Sequence, residues 1–165
     1  MDVKEFIKKQ NKLEDLYFIA AEDNYILNDF KEKFLEKFVA EEIRDFNLSY
    51  INPGEDYLRR LNNAVQTPPM GSKKRFVISQ MEAESNLNKK EEKKLAQIIA
   101  DLNPSTTLVF LSPNTLDKRK KLFKEIKKNG IYQEFDIPRY RELDKWLSQK
   151  FREHNKKVDS QTIKI

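Results

Sequence analysis

Glu82 and Glu84 stand two positions apart in the polar stretch after the apolar run Phe76-Val77-Ile78. Carboxylates just past a strand are the groups from which phosphate-handling enzymes build a divalent-metal site. An ATPase places an Asp directly at the strand end, and here that position offers Ser79 or Gln80. Two acids without a third ligand also describe an ordinary solvated loop. The segment after the first apolar run reads Ala20-Ala21-Glu22-Asp23-Asn24-Tyr25, with no Gly, Lys, Ser or Thr. A phosphate-binding loop needs Gly so that backbone N–H groups can wrap the phosphates, Lys for their charge and Ser/Thr for Mg²⁺. Glu22 and Asp23 repel an anion and instead suit the positive end of a helix. Cysteine is absent and His154 is the single histidine. Thiolate nucleophiles, disulfides, Cys-ligated metals and Ser-His-Asp triads are thereby excluded. No catalytic residue, metal or cofactor is expected.

The elements that would position any such chemistry alternate regularly. Val3, Phe6 and Ile7 have helical spacing, and residues 16–21 (LYFIAA) form a continuous apolar run suited to a strand covered on both faces. A helix is expected over 24–39, with Leu27, Phe30, Phe34 and Phe38 on one stripe. Residues 46–51 alternate Phe46, Leu48, Tyr50 as a second strand, and Asn52-Pro53-Gly54 breaks it. An amphipathic helix over 55–66 follows, with Tyr57, Leu58, Leu61, Ala64 and Val65 on its apolar side. Strand three is expected at 75–79. Asn88 then caps a helix that buries Leu95, Ile98, Ile99 and Leu102 before Asn103-Pro104. Residues 106–111 (TTLVFL) form strand four, and a basic helix runs from Asp117 to Asn129 with Gly130 at its C′ position. Residues 131–137 close the pattern as strand five. Strand–helix alternation with short links implies crossover units and a mostly parallel sheet with helices on both faces, a three-layer α/β fold.

Pro138 then interrupts the chain, and Leu143, Trp146, Leu147 and Phe151 mark one more helical stripe. The expected organisation is an α/β domain over 1–138 and the opening of a helical domain over 139–165. The tail ends Thr162-Ile163-Lys164-Ile165, in the manner of a helix cut short. We expect residues 152–165 to be partly frayed.

The 165 residues carry a net charge of +5, unevenly spread. Residues 1–66 hold 10 basic against 14 acidic side chains, whereas residues 67–165 hold 22 against 13. An anionic partner for the second half is one reading, and Lys-rich helix faces turned to water are the other. No run approaches the ~20 apolar residues of a bilayer-spanning helix. An intracellular protein located in the cytoplasm, without membrane contact, is the expectation.

The opening Leu16-Tyr17-Phe18-Ile19-Ala20-Ala21-Glu22-Asp23-Asn24-Tyr25, the segment Thr67-Pro68-Pro69-Met70-Gly71-Ser72-Lys73-Lys74-Arg75 before Phe76-Val77-Ile78, and the string Pro104-Ser105-Thr106-Thr107-Leu108-Val109-Phe110 with Leu116-Asp117-Lys118-Arg119-Lys120-Lys121-Leu122 carry a resemblance. Together they resemble the delta subunits of bacterial DNA polymerase III, the clamp-loader wrench. Tyr140-Arg141-Glu142-Leu143-Asp144-Lys145-Trp146-Leu147 is similar to the start of that family's lid-like second domain. The resemblance implies an AAA+-like first domain that binds no ATP, a helical lid and a helical collar, the last of which this chain would lack. It implies a non-catalytic subunit of a DNA polymerase holoenzyme. Such a subunit binds the ring-shaped sliding clamp (the beta subunit), works with gamma/tau and delta prime subunits, and opens the clamp for loading onto primed DNA. The implied clamp-binding residues are Leu61, Val65, Pro68, Pro69 and Met70, with Pro69 and Met70 where the family usually has a Leu-Phe-type pair. The residues alone leave Met70 free either to plug a partner's pocket or to pack back on its own sheet. Lys118, Arg119 and Lys121 are possible contacts to a subunit or to DNA, or a solvated face. Other functions open at this point are a nucleic-acid-binding α/β module and a metal-dependent enzyme acting on DNA.

Overall fold

The computed structural model describes residues 1–71, 73–81, 86–137 and 141–154, the last stretch without the side chains of 141–144. Its elements, in chain order, are α1 (Val3–Lys9), β1 (Leu16–Ala20), α2 (Asn24–Phe38), α3 (Glu41–Asn47), β2 (Leu48–Ile51) and α4 (Tyr57–Gln66). They continue with β3 (Arg75–Gln80), α5 (Lys89–Ala100), β4 (Thr106–Ser112), α6 (Lys121–Asn129), β5 (Ile131–Glu134) and α7 (Arg141–Glu153). The chain divides into two compact units, Met1–Phe135 and Asp136–Ile165.

The five strands form one sheet in the order β2-β3-β4-β1-β5, and every neighbouring pair is parallel. All seven residues of β4 and all five of β1 are buried, the reason these segments read as unbroken apolar runs. Alternate side chains divide between two cores. Leu16, Phe18, Val77, Leu108 and Phe110 pack with Leu61 and Val65 of α4, Leu95 and Ile99 of α5, and Leu122 and Ile126 of α6. Tyr17, Ile19, Phe76, Ile78 and Val109 pack with Phe6 of α1 and Ile26, Phe30 and Phe34 of α2. Burying one such side chain stabilises the fold by about 1.5–3 kcal/mol, so these two layers hold the sheet rigid.

Caps fall where the sequence places them. Asn88 and Glu91 form a reciprocal capping box at α5. The Asp23 carboxylate accepts from the Tyr25 N–H at 2.8 Å and occupies the N-terminus of α2.

Four expectations are corrected. Phe46 is not in a strand: α3 runs through Asn47 and β2 begins at Leu48, with Phe46 and Tyr50 exposed on the sheet's edge. A short helix joined directly to a strand here imitates strand alternation. The helix expected from Asp117 starts at Lys121. Asp117 accepts the backbone N–H of Arg119 at 3.0 Å and folds a separate turn, closed by Lys120 N–H donating to the Asp117 carbonyl at 3.0 Å. Gly130 is not a left-handed C′ residue, because its φ of −176° is extended. Its glycine is required for another reason: a Cβ there would lie 2.6 Å from the Leu16 Cβ and collide with the Leu16 carbonyl. The β5 strand also ends at Glu134, although Phe135 N–H still donates to the Ala20 carbonyl at 2.8 Å.

In the second unit, α7 has Trp146, Leu147 and Phe151 half-buried. Pro138, Tyr140 and the tail 155–165 lie outside the described residues, as do Glu82 and Glu84.

Gly130→Ala is therefore expected to destabilise the fold by about 2–3 kcal/mol through the forced separation of β1 and the start of β5. Gly71→Ala, at φ +70° with open space around it, loses only the left-handed backbone preference of roughly 1–2 kcal/mol. Urea denaturation of both variants measures the difference, and equal losses would contradict the close approach at Leu16.

Candidate functional site

The segment 67–71 lies between α4 and β3, at the end of the sheet where the parallel strands begin. Its frame is set by how α4 stops. A helix leaves its last carbonyls without partners inside the helix, and here the capping Thr67 and side chains from other elements satisfy them. The Asn63 carbonyl accepts from Thr67 N–H at 3.1 Å and Thr67 Oγ1 at 2.7 Å. The Ala64 carbonyl accepts from Arg75 Nε at 2.9 Å, and the Val65 carbonyl from Thr106 Oγ1 at 3.2 Å. Pro68 and Pro69 then prevent continuation, and Thr67 is already extended, as a residue before proline should be.

Leu61 and Val65 have no exposed surface. They join α4 to the sheet from inside the core and leave no side-chain surface for a partner to touch. Pro68 is exposed and Pro69 half-buried. Met70 is 61% exposed, so its side chain is not spent on its own sheet. Gly71 makes the turn beyond it with a left-handed φ of +70°. The far side of the loop is fixed by Lys74, whose ammonium meets the Asp15 carboxylate at 2.6 Å, and by Arg75 N–H donating to the Ser105 carbonyl at 2.9 Å.

Beneath the loop lies the buried guanidinium of Arg75. Besides Ala64, it donates to the Phe46 carbonyl at 3.3 Å and to Ser49 Oγ at 2.6 Å. Burial lowers its pKa from the usual arginine value. The Asn47 amide, 2% exposed, reaches across to Met70. Its neighbour Phe46 is 58% exposed, so a large aromatic stands in water next to the residue that touches the loop. Neither Asn47 nor exposed Phe46 was legible as part of this site. The only signal was a polar Asn at a position that the helical phase of Ile43 turns inward.

The basic positions are separate. Lys118 pairs with Glu134 at 3.5 Å and Arg119 with Asp117 at 2.9 Å, both at the surface. The Arg119 guanidinium holds the Asp117 carboxyl down at about 2. Lys121 is exposed on α6. Exposed pairs of this kind contribute little to stability, and they already partly neutralise Lys118 and Arg119.

At the opposite end of the sheet, where the strands finish, α/β folds bind nucleotides. There the Asp23 carboxylate covers the start of α2. A cleft of about 500 Å³ lies beside α4 and α5, lined by Pro53, Tyr57, Arg59, Met81, Asn88 and Lys94 among others. Tyr57 Oη and Ser79 Oγ are hydrogen-bonded at 2.7 Å, pinning the first turn of α4 to the end of β3. No cluster of three or more metal-ligating side chains exists among the described residues. Nor is any helix among them long and apolar enough to cross a membrane. His154 is exposed just past α7.

The family model for the DNA polymerase III delta subunit matches residues 17–136. The chain belongs to that family. It is 30% identical over 133 residues to the DNA polymerase III subunit delta of Bacillus subtilis, covering 76% of this chain and 38% of the relative. The solved structure of the Bacillus subtilis DNA clamp loader delta protein superposes with a TM-score of 0.71 at 25% identity, over 98% of this chain and 49% of that one. A Thermotoga maritima DNA polymerase III gamma subunit-related protein shares the fold at 14% identity, with a TM-score of 0.56 over 93% of this chain and 52% of its own. The chain thus spans about half or less of the length of these relatives. The sheet is the AAA+-like core of a delta subunit, and the matched segment includes the whole of α4, the loop and β3.

Tyr57 supplies a pH test of how α4 is seated. Burial raises its phenol pKa to about 12. The ordinary value is about 10, so the neutral phenol stabilises the fold fully below pH 10 and that contribution is lost as pH rises towards 12. Tyr57→Phe is expected to cost about 1 kcal/mol at pH 7, leaving Ser79 Oγ only its long 3.4 Å bond to the Gln80 carbonyl. The gap between parent and variant should narrow between pH 10 and 12 in chemical denaturation. A gap constant across that range would show that Tyr57 ionises freely.

Proposed function

We propose that this chain is the clamp-gripping part of a clamp-loader delta subunit: it docks on the ring-shaped sliding clamp through Pro68, Pro69 and Met70 and helps hold one clamp interface open. It performs no chemistry itself. The gamma/tau and delta prime subunits supply the rest of the loader, which delivers the clamp to primed DNA in the cytoplasm. The second unit, with α7, is the beginning of the lid-like domain. Lys118, Arg119 and Lys121 face solvent or a neighbouring subunit in this arrangement.

The observation that carries the reading is the exposed Met70 on a loop fixed at both ends, in a chain of this family. A thioether side chain fills irregular apolar pockets well. Two prolines and a pinned backbone reduce the ordering that docking requires. The electrostatics agree with a binding protein: a carboxylate occupies the helix start at which an NTPase would hold phosphate.

Titration against the sliding clamp of the same organism tests this. Met70→Ala is expected to weaken binding about thirtyfold, equivalent to ~2 kcal/mol. Met70→Asp should weaken it more, because it carries an unpaired carboxylate into an apolar pocket. Lys93→Glu, exposed on α5, serves as the control and should bind like the parent. A folded Met70→Asp variant that binds the clamp as tightly as the parent would show that the loop is not the docking site.

A further inference from the structure

We infer that Asn47 is a positioning residue for docking: its buried carboxamide holds the main chain of Met70 from both sides and aims the thioether outward before a partner arrives. This rests on the reading of the loop given under Proposed function. Asn47 Oδ1 accepts the Met70 N–H at 2.7 Å, and Asn47 Nδ2 donates to the Met70 carbonyl at 3.3 Å. One side chain thus satisfies both backbone groups of a single loop residue. That task needs one acceptor and one donor on a short, planar group, which among side chains of this reach only Asn supplies. Asp offers no donor when ionised, and Leu, its apolar near-isostere, offers neither.

The clasp is itself immobile. Asn47 is the last residue of α3 and is 2% exposed, and the carbonyl of its neighbour Phe46 is held by Arg75. Arg75 in turn holds the end of α4, from which the loop departs. The residue carrying the apolar plug is therefore fixed from both its own element and the neighbouring one, although its side chain is 61% exposed. A loop with an exposed Met and no such clasp would sample many backbone states, and only a fraction would be competent to dock. Apparent affinity falls in proportion to that fraction.

A double-mutant cycle with hydrogen exchange tests the inference. In the free protein, Asn47→Ala should speed exchange of the Met70 amide at least about tenfold while amides of β4 remain protected. Against the sliding clamp, Asn47→Ala should weaken binding about tenfold in the parent but less than about twofold when Met70 is already Ala, since there is then no anchor to aim. Asn47→Asp keeps the acceptor and loses the donor. It should fall between parent and Asn47→Ala, and it carries the test if Asn47→Ala melts. Additive losses in the cycle, or a Met70 amide that exchanges at the parent rate in Asn47→Ala, overturn the inference. If Met70→Ala weakens clamp binding and neither Asn47 variant does, the inference alone fails. If Met70→Ala itself binds normally, the reading of the loop fails and the inference with it.

Discussion

A single buried guanidinium ties together the end of the sheet at which the parallel strands begin. Arg75 opens β3 with 8% exposure, and its donors reach the last turn of α4, the end of α3 and Ser49 in β2. A buried cation is costly unless its donors are satisfied, and charge-assisted bonds of this kind are individually worth about 1.5–3 kcal/mol. Those bonds fix the spacing of three elements that do not otherwise share a regular hydrogen-bond ladder across the loop. Lys in its place would have one nitrogen to share among three directions, without the planar fork.

From that frame the rest of the site follows. With the end of α4 satisfied, the prolines can turn the chain away from the helix. With the end of α3 fixed, Asn47 can meet the loop, and Phe46 is left in water beside it. Leu61 and Val65 contribute by being invisible from outside. The division is plain: Leu61 and Val65 of α4 are buried, and the exposed side chains lie after Gln66. The nucleotide end of the sheet has gone the other way, with the Asp23 carboxylate seated at the helix start and Tyr57 bonded to Ser79. The AAA+-like fold is retained, with a carboxylate closing the start of α2 and the exposed Met70 at the other end of the sheet.

Most of the sheet was readable in the sequence because the inner strands are buried on both faces: LYFIA, RFVIS and TTLVFL have no other stable environment. The clasp was not. An Asn in the polar neighbourhood of Asp45 and Asn52 carries no signal of burial beyond its helical phase with Ile43, and its partner lies 23 residues away. The short α3 was hidden because Phe46, Leu48 and Tyr50 keep a period of two across a helix-to-strand junction. Leu61 and Val65, which the resemblance implies as contacts, have no exposed surface; an apolar helix stripe looks the same in sequence whether it faces its own core or a partner. The start of α6 was displaced by Asp117, whose local hydrogen bonds compete with the helix. Gly130 was placed correctly as a helix terminator, but its cause is the backbone of β1 and not its own φ.

The loop's direct continuation into β3 has a mechanical consequence. β3 pairs with β2 over four residues and with β4 over six, so it is gripped on both sides. Tension passed along the chain from Met70 towards Arg75 loads these two parallel ladders in shear, many bonds at once, rather than peeling them one at a time. The guanidinium at the strand's first residue acts as a cleat, spreading the same load into two helices. Load entering at Met70 therefore reaches an inner strand of the sheet and not a free edge.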